Sequence, residues 1–376
     1  MRYISRTAGH LAKKFYAWAK ENGHECLSFA DSNYHLWGQS IDNVSVESLM
    51  KALKRYASNE NTKIVVAVDA PVKTIRDICR ELVGIGFDKS DILIVGIDFI
   101  KGNATAPTFM PYTSYNSLEY LEFHITHRCN LNCAGCSHFV PIIPKNIEVN
   151  EVSLKNDLSR LKELVNHIGN IRIMGGEPLL CSKLEDYCEF VRGLYPHANI
   201  KIVSNGILVD KMSDKLSASM TEHTVSLDIT CYPPLYDKYD KIAKNLDKNG
   251  ISCVMDIRWG MCPILHKDSN HKFRHDNTSL VCECYNLFDG SLYPCPPTAY
   301  IDFFNDYFGE HFPSDEGVNI YSCKSFQELW ENVISKKKLC DYCNHYFMTK
   351  HFERRPFSMS KHPPTKEDYI REYDEK

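Results

Sequence analysis

The chain has 376 residues, 44 of them basic and 48 acidic, for a net charge of −4 with neutral histidine. At ~150 residues per domain this length predicts two or three domains with full cores, and an even charge balance gives no basic footprint for nucleic acid. Hydrophobic residues at 43% exclude general disorder, while no apolar run reaches the ~18 residues of a membrane-spanning helix, so the expected setting is the cytoplasm, without nucleic acid or membrane as partner.

Residues 1–100 alternate short β-branched strands with amphipathic helices. Strands are expected at 2–5, 25–30, 63–68 and 92–95, and helices at 8–22, 46–58 and 71–84. That alternation implies parallel pairing and a Rossmann-like doubly wound layer. The turn after the first strand holds one glycine, Gly9, where a dinucleotide fingerprint needs three. Asp31 ends the second strand, either as a ribose-binding acid or as a cap of the local turn. Residues 101–117 are rich in turn formers and read as a linker. From 118 to 275 the alternation resumes, with strands expected at 120–126, 171–174, 200–203, 225–229 and 253–257. Repeated βα units of this kind close into a partial (β/α)6 barrel, whose sites lie at the C-terminal ends of the strands. Residues 276–350 form a small cysteine-rich extension. The polar tail, 351–376, is expected to be solvated or weakly docked.

Sixteen cysteines stand out in a chain read as cytoplasmic, where clustered thiols are metal ligands or catalytic groups more often than disulfides. Directly after the strand at 120–126 come Cys129, Cys133 and Cys136, spaced Cys-x3-Cys-x2-Cys on one loop. Three soft thiolates suit a four-iron cluster with one iron left open, or a zinc site completed by His127 or His138. Gly175-Gly176-Glu177-Pro178 follows the second barrel strand and Ser204-Asn205-Gly206 the third.

In these three segments the chain resembles the radical S-adenosylmethionine superfamily, over roughly residues 118–343. The resemblance implies a [4Fe-4S] cluster held by Cys129, Cys133 and Cys136, with S-adenosylmethionine bound at the open iron. It implies reductive cleavage of that cofactor to a 5′-deoxyadenosyl radical, which abstracts hydrogen from a substrate carbon, and a reducing partner such as flavodoxin or ferredoxin. Gly175 and Gly176 are expected to let backbone approach the cofactor, Glu177 to meet its ammonium group or else to cap the helix that Pro178 starts, and Ser204 and Asn205 to contact it nearby. The aromatic residue that family members carry before the third cysteine is Gly135 here. Phe139 or His138 is the candidate replacement beside the adenine, and Arg258 a candidate for the cofactor carboxylate or the substrate.

A second group of cysteines lies downstream. Residues 282–295 read as a hairpin turning at Asp289-Gly290, which sets Cys284 near Cys295, and Cys340 and Cys343 add a Cys-x2-Cys pair. The group resembles the twitch extension of the superfamily, with Cys284, Cys295, Cys340 and Cys343 as ligands of a second [4Fe-4S] cluster and Cys282 as alternative to Cys284; tetrathiolate zinc is the other reading. Cys231 and Cys262, each after a barrel strand, are candidate hydrogen-atom donors, as an epimerase would need. The substrate class expected is a carbohydrate or nucleotide-linked small molecule undergoing oxidation or epimerisation. The alternatives are modification of a ribosomally made peptide and, in another class, a non-catalytic iron–sulfur or zinc scaffold.

Overall fold

The first unit, residues 1–119, grows from a strand that starts almost at once. In the computed structural model, which describes residues 1–59, 61–261, 263–267, 283–343, 355–359 and 363–371, β1 (Arg2–Arg6) leads into α1 (His10–Glu21) and β2 (Glu25–Ala30). Helix α1 buries Ala12, Phe15, Tyr16 and Ala19, one stripe at helical spacing, against the sheet. Next come β3 (Ser40–Ile41), β4 (Val44–Glu47), α2 (Leu49–Ala57), β5 (Thr62–Val66), α3 (Val72–Gly84), β6 (Ile92–Val95), α4 (Ile97–Lys101) and β7 (Phe109–Pro111). The sheet order is β3-β4-β2-β1-β5-β6-β7. Its centre is parallel, and β3 and β7 close the two edges antiparallel.

Three expectations change in this unit. The helix expected at 46–58 begins only at Leu49, because Ser48 caps it by accepting from Lys51 N, and Val44–Glu47 pairs as a strand with β2. The segment read as a linker supplies edge strand β7, in register with β6 at Leu93↔Pro111. Asp31 accepts from Ala8 N and Asn33 N, both at 2.8 Å, so its two oxygens fix the turns around it rather than present themselves to a ribose.

The second unit, residues 120–376, takes its first strand from β8 (Ser117–His124). It continues with α5 (Glu151–Leu164), β9 (His167–Met174), α6 (Leu184–Leu194), β10 (Asn199–Ser204), α7 (Asp214–Glu222), β11 (Ser226–Cys231), α8 (Tyr239–Lys248) and β12 (Cys253–Ile257). Strands β9 to β12 pair parallel in sequence order. Ile173, Ile202 and Leu227 stand side by side in that register and are fully buried, a row on which the sheet packs. This is the α/β fold with a partial barrel that the alternation predicts.

Beyond it lie β13 (Gly260–Met261), β14 (Leu265–His266), β15 (Asn286–Phe288), β16 (Ser291–Tyr293), α9 (Pro296–Phe308), β17 (Val318–Asn319), α10 (Phe326–Val333), β18 (Arg355–Pro356) and β19 (Ile370–Arg371). The large sheet runs β12-β11-β10-β9-β8-β15-β16-β17. Hairpin β15–β16 therefore extends the barrel sheet, with β15 parallel to β8. It turns at Asp289-Gly290, both at positive φ (44° and 68°), as a tight right-twisted hairpin requires.

Part of the tail is docked: its residues 369–371 pack into the second unit. Strand β19 pairs with β14, and Tyr369 has no exposed surface, its ring lying 5.5 Å from Phe139 and 5.7 Å from Phe304. Tail aromatics thus complete the core around α9, a contact that sequence patterning in so polar a segment does not reveal. Among the described residues no helix is long and apolar enough to cross a membrane.

Candidate cluster and cofactor site

The site forms where β8, β9, β10 and β11 end. After β8 the chain turns through Thr126 and Arg128 into the loop bearing the three cysteines, and the ends of β9 and β10 hold that loop from below. Gly176 N donates to Thr126 O (2.9 Å) and Glu177 N to Arg128 O (2.8 Å). A Cβ on Gly175 would sit 2.5 Å from Thr126 O, and one on Gly176 2.3 Å from Arg128 O. The two glycines are thus needed for backbone to lie directly against the cysteine loop, which is a different reason from the close approach to a ligand expected above.

Glu177 has no exposed surface and lies beneath the site. Its carboxylate accepts from Ser204 Oγ (2.8 Å), Asn205 N (2.8 Å) and Leu179 N (3.1 Å). Burial lifts its pKa above the usual carboxylate range against the pull of those three donors. The expected meeting with a cofactor ammonium is not what these bonds describe: Glu177 ties the end of β9 to the end of β10 and caps the short helical turn that follows it. Ser204 in turn accepts from Gly206 N (2.9 Å). Asn205 Nδ2 reaches Asn130 Oδ1 (2.7 Å) and Cys129 Sγ (3.9 Å), placing an amide donor beside the first thiol.

These elements surround a cavity of about 310 Å³. Cys129, Cys133 and Cys136 line it, with Gly175, Gly176, Ser204, Asn205, Tyr232 and Arg258. Burial pushes the Cys129 thiol up to about 12 and Cys133 higher still. Cys136 is also disfavoured as a thiolate by burial, but His138 outweighs this and holds it below the ordinary thiol value. Burial likewise opposes charge on His138, and Cys136 and Glu122 overcome it, raising the imidazole to about 9. Three sulfur donors around one cavity, with an amide and a histidine directed at them, fit an iron–sulfur cluster.

A second wall of the same cavity escaped the sequence reading. Tyr120, Glu122 and Arg172 line it together with His138 and Cys284. Glu122, almost fully buried, accepts from Tyr120 OH, from Asn286 Nδ2 and from His138 Nε2 (3.1 Å). Arg172 lies over the Tyr120 ring at 5.6 Å and pairs with Asp228 at 2.7 Å. The signal was period two: residues 120 and 122 on β8 and 172 on β9 are polar interruptions in apolar strands, facing inward together.

Other expected residues lie elsewhere. Phe139 is fully buried in the core with Phe304 and Tyr369 and offers no surface to an adenine ring. Cys231 is fully buried, and although Thr230 and Tyr232 on either side line the cavity, Cys231 does not, because neighbouring strand residues face opposite ways. It is not placed to return hydrogen to a substrate there. Cys262 and Cys282 fall outside the described residues. Cys284 and Cys295 extend the hairpin register Asn286↔Tyr293 by two positions on each strand. Cys340 and Cys343 lie at a short helical turn, where Cys343 bridges to Leu265.

A three-thiol loop at the end of a parallel strand, held by a glycine pair and an Asn-bearing turn, defines an iron–sulfur enzyme on a partial (β/α) barrel. Residues 123–261 match the model of the radical SAM superfamily, so the chain carries a radical SAM domain over that segment. A [4Fe-4S] cluster and S-adenosylmethionine are accordingly its cofactors. It is 32% identical over 152 residues to the probable GTP 3′,8-cyclase of Methanococcus aeolicus, covering 39% of this chain and 48% of that protein. To the GTP 3′,8-cyclase of Helicobacter pylori it is 29% identical over 143 residues, covering 37% and 41%. The chain therefore spans less than half the length of these curated relatives. Among solved structures it is similar to BtrN in complex with AdoMet and 2-DOIA, at 17% identity and a TM-score of 0.39 over 60% of this chain and 93% of that one.

Proposed function

We propose that this enzyme uses Cys129, Cys133 and Cys136 to hold the cluster at which S-adenosylmethionine is cleaved, and acts on a nucleotide-linked or sugar-type small molecule in the adjoining cavity. When bound, cluster and cofactor supply a 5′-deoxyadenosyl radical able to abstract hydrogen from an unactivated carbon. The observation that carries the substrate class is the polar lining of the cavity: on the second wall Glu122 and Tyr120 suit the hydroxyls of a sugar, and Arg172 there, with Arg258 beside the cysteines, suits an anionic group such as phosphate. The cyclases named above act on a nucleotide by name, which agrees with this class. Their named reaction is a cyclisation, so oxidation or epimerisation is not supported by them, and epimerisation also loses Cys231 as a donor.

Within this reading Asn205 orients the first cysteine and Glu177 fixes the turn that carries Asn205. Cys284, Cys295, Cys340 and Cys343, with Cys282 as alternative to Cys284, are the ligands we propose for a second [4Fe-4S] cluster, and a flavodoxin or ferredoxin is the proposed reductant. The first unit is proposed as a docking domain, since Asp31 is engaged by its own loop. The test is anaerobic reconstitution, reduction and incubation with S-adenosylmethionine. 5′-Deoxyadenosine is expected, and formation should increase when GTP or a nucleotide sugar is the true substrate. Its absence from protein carrying an intact cluster refutes the proposal.

A further inference from the structure

Five residues near the C-terminus cross between the cysteine loop and the end of the barrel sheet. Strand β18 pairs antiparallel with β13, Gly260 against Pro356, and Phe357 N donates to Trp259 O (2.8 Å). Two residues later the same segment meets the cysteine loop: Ala134 N donates to Ser358 O (3.0 Å), and Cys133 bridges to Met359. This strap carries one ring inward. Phe357 stacks on Tyr232, centroids 5.0 Å apart and planes at 29°.

Tyr232 follows β11 and lines the cavity, whereas Phe357 does not, so Phe357 backs the tyrosine from outside. The strap that stacks Phe357 on Tyr232 also bonds Ala134 and Cys133 of the cysteine loop, and Tyr232 lines the cavity together with the three thiols, which sets the ring on the cluster side. Gly135, before the third cysteine, contributes no side chain, and Phe139 is in the core. A flat, half-buried aromatic face beside three thiols, stiffened by a second ring, is the surface on which a heteroaromatic base gains most by stacking.

We propose that Tyr232, backed by Phe357 on the 355–359 strap, is the stacking platform for the adenine ring of S-adenosylmethionine in this enzyme. The inference rests on the proposed function above. The strap has two tasks in it: hydrogen bonding the cysteine loop and holding the platform against it.

The experiment measures binding of S-adenosylmethionine to reconstituted, iron-quantified full-length protein by equilibrium dialysis, with methionine, which lacks the base, as a second probe. Y232A is expected to weaken S-adenosylmethionine about tenfold, the scale of one lost stacking contact, and to leave methionine binding unchanged. Y232F should bind within twofold of the unaltered chain, and F357A should lose severalfold. Should Y232A take up too little iron, Y232L, which keeps apolar bulk without a π face, is expected to give the same tenfold loss. The proposal is overturned by Y232A or Y232L binding the cofactor as the unaltered chain does, by equal losses for methionine, or by loss of affinity for a nucleotide substrate alone. Failure of the unaltered, cluster-loaded chain to bind S-adenosylmethionine instead overturns the function reading on which it rests.

Discussion

Replacing Gly176 by alanine tests how the cysteine loop is held. The new Cβ would stand 2.3 Å from Arg128 O, 2.6 Å from Arg128 C and 2.8 Å from His127 O, all backbone atoms that no rotamer change relieves. Restoring the 3.0 Å that real Cβ contacts keep requires the loop to retreat by about 0.7 Å. That movement stretches the bonds Gly176 N to Thr126 O and Glu177 N to Arg128 O, now 2.9 and 2.8 Å. Two weakened backbone hydrogen bonds at ~1 kcal/mol each and an overpacked contact at ~1–3 kcal/mol give a cost of about 3 kcal/mol. Because the retreating segment leads into Cys129, iron uptake should fall along with stability. Calorimetric Tm of the apo protein and the iron-to-protein ratio after reconstitution are the measurements, with G193A as control. Gly193 lies within α6 with nothing inside 4 Å of its Cβ position, so alanine there is expected to stabilise by up to ~1 kcal/mol and leave iron unchanged. A G176A protein with the Tm and iron content of the unaltered chain would refute this account of the glycine pair.

Tyr369→Ala should cost about 3–5 kcal/mol, the range for emptying an aromatic site in a core, and lower the thermal transition; a transition within a degree of the parent would mean the tail does not complete the core around α9. Burial lowers the pKa of His167 to about 4, and His124 is also held neutral by burial. A histidine whose folded pKa is depressed contributes stability present above pH ~6.5 and lost as pH falls toward 4. Denaturant unfolding across that window should therefore show acid destabilisation, and His167→Gln should reduce its slope by up to ~1.4 kcal/mol per pH unit; an unchanged slope contradicts the assignment. Cys340→Ala with Cys343→Ala should remove roughly one cluster's iron while 5′-deoxyadenosine formation survives; unchanged iron content would remove the second cluster from the proposal.

The chemistry of this protein was legible from local spacing. Cys129, Cys133 and Cys136 share one loop, and a ligand set confined to eight residues needs no knowledge of what packs around it. The strands and the hairpin turn at Asp289-Gly290 were equally local, since β-branched runs and positive-φ residues report their own backbone preferences. What pattern could not supply were contacts between residues far apart in the chain. Glu177 bonding to the end of β10, Glu122 meeting Asn286, and Tyr369 filling the core beside Phe139 join residues 27 to more than 200 positions apart. Each side chain in those sets is ambiguous alone, because a buried acid can cap, pair or catalyse and only its neighbours choose. The sequence by itself thus determined which cofactors its cysteine loop serves. The tertiary structure decided which walls enclose it, turning Phe139 and Cys231 away from the cavity and bringing Tyr232, Glu122 and Arg172 to it, because burial and strand parity, not residue type, set where a side chain points.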